Sequence, residues 1–539
     1  MTTKVLDAQD GPQRGLNCYS ILVLFTAVLG GLLFGLDVGT SGSVSLTSFR
    51  EAMNIPIQTA GESDPGYAQN TLFNMVFHGS SLLGAPIAGM VADKFGRKPV
   101  IIAAASLFTT GAIWQACAGL LASSFAWKSV ILGRVIGGVG NGFLLVIMPV
   151  YASELAPKQL RGKAITLFQL FITVGIFFMA LYNKFFEHED AAWRAAFALQ
   201  AIPCFTVIIL TVCVLPESPR FLIRKNRGAE AREALNKLAA GSENADAAVE
   251  AEFNQIAEEV AAIVQEGEGT FAELFQGTNL ACVMCGVMVA LSQNITGINW
   301  FMNYGPTLYT GLNLPSFTMD LLNKGLNMTA TMVSFYVIER TGRKFLTVWG
   351  SILVIVFFLL IFVVVQGSGV DLKNPSSMAV PAFCVFMVDC FQVTFAITWG
   401  PLGWLVPSEV FQIRNRGKGM ALCVTANMFT NILLGDYLFQ KLDSLMPFGA
   451  VCMIICACNF VVVLPTVWFL QPETKGIALE DMRKVFAYEK GGNAELNHGT
   501  LRDSFKRNHK QALKIVKCGT VDPTEGFEKF NTVSPEENA

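Results

Sequence analysis

The chain has 539 residues, 52% of them hydrophobic and 15% charged, with a formal net charge of −2. That charge density is well below the roughly 25% of soluble domains, and a mean hydropathy of +0.47 exceeds what a soluble core can hide. The near-neutral balance gives no basic footprint for nucleic acid, so a polytopic membrane protein is expected.

The chain opens with Lys4, Asp7, Asp10 and Arg14, which mix signs, and the apolar run that follows is too long for the core of a cleavable signal peptide. Twelve runs then come in order: 19–42, 71–92, 99–119, 127–152, 162–183, 195–215, 279–304, 318–338, 345–366, 379–405, 418–440 and 447–470. Each has the roughly 20 residues a helix needs to cross a hydrocarbon core. The first carries Asp37, the second His78 and the fourth Arg134. A charge at such depth costs roughly 2.5–3.5 kcal/mol, so Asp37 requires a partner or a proton, and Arg134 is the expected partner. His78, beside Gly79, Ser80 and Ser81, reads as a packing residue and as a weak candidate for pH sensitivity. Asp389 in the tenth run reads as a hydrogen-bonded structural acid, with a water-filled cavity or a second proton site as the alternatives.

Lys and Arg crowd into alternate connections: Lys94, Arg97 and Lys98; Lys158, Arg161 and Lys163; Arg340, Arg343 and Lys344; Arg414, Arg416 and Lys418. The positive-inside rule places this set in the cytoplasm, together with both termini and the long connection 216–278. Residues 221–275 are charged and Ala-rich and are expected to form short surface helices. In the tail, Arg502 to Lys517 is basic with Phe505, Leu513 and Ile515 interspersed. It reads as a solvated tail, or as a segment resting on anionic lipid.

The halves echo each other. Asp93-Lys94-Phe95-Gly96-Arg97-Lys98 returns as Glu339-Arg340-Thr341-Gly342-Arg343-Lys344, and Glu154 before Arg161-Gly162-Lys163 returns as Glu409 before Arg416-Gly417-Lys418. Pro216-Glu217-Ser218-Pro219-Arg220 returns weakly as Pro472-Glu473-Thr474-Lys475-Gly476. All three offsets are about 250 residues. The expectation is two six-helix bundles, 19–215 and 279–470, flanked by tails 1–18 and 471–539, with a site at their interface. Asp93, Arg97, Glu154, Arg161, Glu339, Arg343, Glu409 and Arg416 fall at the cytoplasmic helix ends. There they are expected to pair across the bundles and close that side.

With these motifs the chain resembles the sugar porter family of the major facilitator superfamily over about residues 20–480. Further matches are Gln169-Leu170 with Thr173 to Ile176, Gly297-Ile298-Asn299, and Trp399-Gly400-Pro401 with Trp404. The resemblance implies an all-α major facilitator fold with twelve transmembrane helices in two bundles. It adds Glu217 and Arg220 to the cytoplasmic gate. It also implies sugar contacts from Gln169, Gln293, Asn294, Asn299, Asn327, Trp404 and Asn427, and proton coupling through Asp37 and Arg134. The residues support this on their own terms. Desolvated sugar hydroxyls need partners, and uncharged amides both donate and accept. The chain departs from the family in having Asn294 after Gln293, where Gln-Gln is usual, and Asn303 before Tyr304, where Tyr-Tyr is common.

The expected function is thus secondary-active sugar transport. A hexose such as glucose would be the cargo, a proton the coupling ion, and the plasma membrane the site. A facilitative uniporter is the alternative, and a transporter-like sugar sensor a more distant one. No enzyme, cofactor or metal is expected. There is no phosphate-binding loop, and His78, His188, His498 and His509 are scattered. Thirteen cysteines, mostly inside apolar runs and including Cys282 and Cys285, read as small hydrophobes.

Overall fold

The computed structural model describes residues 17–58, 64–120, 125–157, 161–240, 245–266, 270–311, 314–370, 372, 378–411, 414–475, 477, 485–486 and 501–518. Six long helices make the first half: α1 Cys18–Ser43, α2 Tyr67–Phe95, α3 Arg97–Ala116, α4 Ala126–Leu155, α5 Gly162–Phe185 and α6 Ala192–Cys213. Six make the second: α7 Gly277–Pro306, α8 Ser316–Thr341, α9 Arg343–Ser368, α10 Ala379–Val410, α11 Arg416–Leu445 and α12 Phe448–Leu470. All but α8 are apolar enough to cross a membrane by composition alone. The exception is as long as its neighbours but buries Asp320 and Lys324.

Bare apolarity does not drive helices together in lipid, so small residues and polar bonds must do it. In the first half α1 lies against α5, with Gly31 and Gly35 facing the backbone of Phe168 and Ile172. Gly111 of α3 lies against Gly133 and Gly137 of α4. The halves meet along α2 with α11, α5 with α8 and α10, and α1 with α7. A Cβ on Gly89 of α2 would stand 3.3 Å from the carbonyl oxygen of Gly417 in α11, so the two backbones nearly touch there.

Several of the described helices are interrupted, and three of the interruptions border the seam. Between Ile295 and Ile298 the chain of α7 passes through Gly297 at φ +90°, which favours glycine. Farther along α7, Tyr304 leaves helical geometry two residues before Pro306. The helix α10 breaks at Thr398, just ahead of Trp399-Gly400-Pro401. From Asn431 to Leu438, α11 widens into a π-helical stretch. Such irregular backbone is tolerated at membrane depth only where protein or a cavity satisfies it, and π-bulges gather at functional sites.

Between the halves lie short helices Pro219–Arg224, Gly228–Ala239 and Ala245–Glu266. They are tied to the start of α1, where Ser20 Oγ donates to the Leu238 carbonyl at 2.5 Å. The tail helix Leu501–Cys518 neither stands free in solvent nor rests on lipid alone. Lys344 Nζ donates to the Asn508 carbonyl at 2.6 Å, and Trp468 Nε1 donates to His509 Nδ1 at 2.7 Å. These contacts dock the tail on the ends of α9 and α12.

Candidate functional site: a polar seam between the two halves

The breaks in α7 and α10 bring a set of amides together. Gln293 Nε2 donates to the carbonyls of Trp399 and Gly400 at 3.2 and 2.9 Å, and Gly403 leaves room for it. Its Oε1 accepts from Asn427 Nδ2 of α11 at 2.9 Å. Asn294 Nδ2 donates to the Asn427 carbonyl at 2.6 Å, while Asn294 Oδ1 accepts from Asn299 at 2.5 Å. Asn327 of α8 donates to Gln392 Oε1 of α10 at 3.2 Å. Gln169 of α5 faces this cluster from the other half, its Nε2 near Gly400. Trp404 is buried and meets Phe168 of α5 edge to face, with centroids 5.9 Å apart. Six of the seven residues expected to contact sugar are therefore buried along the seam, and Asn299 is half-buried. Gln392 and Asn431, beside Asn299, extend it and were not anticipated from sequence; Gln392 Nε2 and Asn431 Oδ1 have no hydrogen-bond partner among the described residues.

Asp37 and Arg134 also meet as expected. Arg134 Nη1 donates to Asp37 Oδ1 at 2.5 Å, and both residues are at most 2% exposed. The guanidinium is further held by the Phe73 carbonyl at 3.2 Å and by the faces of Phe73 and Phe77, 3.9 and 4.2 Å from the ring centroids. Arginine suits this place because a planar, weakly hydrated cation can stack and chelate together.

Besides the buried Arg50–Asp64 pair in the connection between α1 and α2, two further buried pairs were not anticipated from sequence. Lys324 Nζ lies 3.0 Å from Asp320 Oδ1 one turn away, and donates to the carbonyls of Phe301 and Met302 at 3.0 and 3.1 Å. Pro306 has no N–H for the Met302 carbonyl, so the lysine caps the broken end of α7. The i, i+4 spacing of Asp320 and Lys324 inside an apolar run was the available signal. The second pair joins the halves: His78 Nδ1 of α2 is 2.6 Å from Asp436 Oδ2 of α11. His78 is thus no simple packing residue. Asp389 accepts from Asn323 at 2.9 Å, a hydrogen-bonded role between α8 and α10.

The expected gate charges are arranged otherwise than expected. Arg97 of α3 binds Glu154 of α4 through Nε and Nη2 at 2.9 and 2.7 Å, and Arg343 of α9 binds Glu409 of α10 at 3.3 and 3.0 Å. Glu217 accepts from the backbone N–H groups of Arg97 and Lys98, and Glu473 from those of Arg343 and Lys344. Each carboxylate caps a helix start where the exposed donors and helix dipole favour an anion. Gly96 at φ +98° and Gly342 at φ +100° make the turns, and a Cβ on either would overlap the capping carboxylate. Asp93 lies 3.5 Å from Arg224, and Arg220 pairs with Glu259 at 2.7 Å, both in the linker. Among the described residues, then, these ion pairs lie within one half, between a half and the linker, or within the linker, not across the halves. The reason is geometric, because each carboxylate sits on the element next to its arginine. Glu339 and Arg343 do approach Gly162 of α5 across the seam. Arg416 is buried, and the Arg161 side chain lies outside the described residues.

A groove of about 670 Å³ on the outer face of the first half, lined by Phe25, Leu29, Phe171, Phe178 and Ile202, is almost wholly apolar. Its two hydroxyls, of Tyr182 and Thr206, already donate to the Ala192 and Ile202 carbonyls, so it offers little to a polar cargo.

Two halves of six helices, broken helices at midspan and a buried polar seam make up a major facilitator fold. The family profile described as "Sugar (and other) transporter" matches residues 23–486, and the chain belongs to that family. It is 31% identical over 512 residues to "H(+)/hexose cotransporter 2" of Parachlorella kessleri, covering 90% of each chain. It is 32% identical over 492 residues to "Sugar transport protein 1" of Arabidopsis thaliana, covering 86% of this chain and 90% of that protein. The same fold is seen in the proton:xylose symporter XylE of E. coli bound to 6-bromo-6-deoxy-D-glucose. The TM-score is 0.74 at 22% identity, and the match covers 87% of this chain and 99% of that one.

Proposed function

We propose that the protein carries a hexose together with a proton by alternating access. The observation that carries this reading is the amide cluster of α7, α8, α10 and α11 facing Gln169 of α5. In the ligand-free chain most of these amides bond to each other or to carbonyls at the helix breaks. A neutral polyol offers the same donors and acceptors, so it can enter by exchanging bonds without leaving a buried group unpaired. Trp404 supplies an apolar face for the sugar's C–H groups. Asp37 and Arg134 supply the coupling. With Asp37 ionised, the pair ties α1 to α4; a proton on Asp37 cancels the attraction and releases α1, which lies against both α5 and α7. The two relatives named as a proton/hexose cotransporter and a sugar transport protein agree with this cargo. The basic turns at Arg97 and Arg343 face the cytoplasm, as do both termini, and the plasma membrane is the site of action.

The test is uptake of radiolabelled glucose in yeast lacking its own hexose carriers, with and without a protonophore. Accumulation that collapses with the protonophore is expected, and Asp37→Asn is expected to abolish sugar-driven proton movement while sugar exchange persists. Uptake that only equilibrates and ignores the protonophore would make the protein a facilitator. Surface-expressed protein without uptake of any hexose, pentose or polyol would favour a sensor.

A further inference from the structure

His78 and Asp436 are a buried hydrogen-bonded acid–base pair that joins α2 of the first half to α11 of the second. They are 2% and 0% exposed. At 1.5 Å per residue, His78 stands roughly 16 Å along α2 from Tyr67 and roughly 26 Å from Phe95. The pair therefore spans the seam in the part remote from the basic turns. Asp436 is fixed from the second half: Asn303 Nδ2 donates to its Oδ1 at 3.0 Å, and the Tyr304 hydroxyl donates to its carbonyl at 3.2 Å. On the imidazole, Nδ1 faces Asp436, while Nε2 is buried and meets no hydrogen-bonding group among the described residues.

The neighbouring charges make this arrangement chemically incomplete. Phe77 carries the Arg134 guanidinium on its face, and its ring centroid is 5.8 Å from that of His78. Asp37 and His78 are within electrostatic reach of each other, as are Arg134 and Asp436. On the elements packed against the pair, the facing titratable groups are Asp37 of α1, Arg134 of α4 and Tyr304 of α7. Lys441 and Asp443 follow along α11; Arg416 and Lys418 lie at its opposite end. Counting Asp37, Arg134 and Asp436 as ionised and His78 as neutral leaves the buried cluster with one uncompensated negative charge. A proton on Nε2 brings it to zero.

We infer that His78 and Asp436 form a second proton-binding site, distinct from Asp37, which latches α2 to α11 when His78 is protonated. The proton adds to the Nε2 lone pair. The Nδ1–H···Asp436 hydrogen bond, already assisted by the carboxylate charge, then becomes a bond between a cation and an anion and gains their direct attraction. Proton uptake thus draws the two halves together at the end remote from the basic turns, and proton loss loosens them. The proton-coupled reading above gives this latch its purpose, the closing of one entrance behind the cargo. The latch itself is defined without any sugar.

The experiment uses the full-length protein in sugar-free liposomes, with a fluorophore pair introduced as non-thiol amino acids at the exposed positions Ala68 and Ser444. Lowering the pH from about 8 to about 5 crosses the ordinary imidazole range. The expected result is a rise in the short-distance population for the wild-type chain and, displaced to lower pH, for Asp37→Asn, which removes one negative charge from the cluster. A loss of that pH response is expected in His78→Asn and in Asp436→Asn, both of which keep hydrogen-bonding side chains and so should preserve the fold. A pH response retained in both His78→Asn and Asp436→Asn, or absent from the wild-type chain, would overturn the inference. Because no sugar is present, either result is independent of the uptake assay. If the latch responds but no hexose is carried, the cargo assignment fails and the latch stands.

Discussion

Single residues in this chain act by leaving or satisfying buried polar groups. Gln293 links carbonyls of α10 to Asn427 of α11, so Gln293→Ala strips both sides of partners. A lost bond of this kind costs about 1–3 kcal/mol, and each 1.4 kcal/mol is tenfold in affinity. The KM for sugar uptake is expected to rise by about tenfold or more, with surface expression unchanged. Lys324→Met leaves Asp320 buried without its cation and exposes the carbonyls of Phe301 and Met302. Thermal unfolding in detergent should show a loss of about 3–5 kcal/mol, with part of it recovered when Asp320→Leu is added. An unrecovered double variant would mean that capping α7, not charge balance, is what the lysine chiefly provides. Asp37 was legible because a lone acid in an apolar run demands an explanation. Asp436 also sits in an apolar run, but its partner lies on a helix more than 350 positions away, and nothing local points there.

At the scale of the helix, interruption is what builds the site. The bend at Gly297 aims Asn294 and Asn299 at each other, and the break at Thr398 presents the Trp399 and Gly400 carbonyls to Gln293. Gly297→Ala forces an L side chain to φ +90° and sets its Cβ about 3.1 Å from Ile455, for a cost of roughly 1–2 kcal/mol. A lower melting temperature and weaker sugar uptake are expected together; a lower melting temperature with normal uptake would separate the bend from the site. The helix ends follow a different rule. Gly96 with Glu217 and Gly342 with Glu473 are the same device used twice, a glycine turn beside a carboxylate that caps the next helix. The repeat was visible in sequence, but its role as an intra-half clasp was not, because sequence does not say which neighbour a charge selects.

For the whole molecule the question is what must separate when the halves rock. The seam holds the Gly89–Gly417 approach, the Phe168–Trp404 contact, the Gln169–Gly400 contact and the His78–Asp436 pair. The Arg97–Glu154 and Arg343–Glu409 clasps lie within the halves and can travel with them as rigid units. Gly89→Leu should keep α2 from reaching the Gly417 backbone and hold that end of the carrier apart. Uptake is expected to fall by about tenfold or more while the melting temperature changes little, and added thiol or amine probes should reach the seam from the basic end. Unchanged uptake would mean that α2 and α11 tolerate separation throughout the cycle.

The sequence by itself determined the membrane class, the count of twelve runs, the internal repeat, the need of Asp37 for a partner or a proton, and the presence of interior amides. Those follow from local physics: apolar length set against bilayer thickness, and the cost of a charge or amide at depth. Only the tertiary structure decided which carbonyls the amides answer, that the gate charges bind within their own halves, that the tail helix docks on α9 and α12, and that His78 finds Asp436. Each of these is a choice among partners distant in the chain, and that choice is made by helix packing, which composition and spacing do not encode.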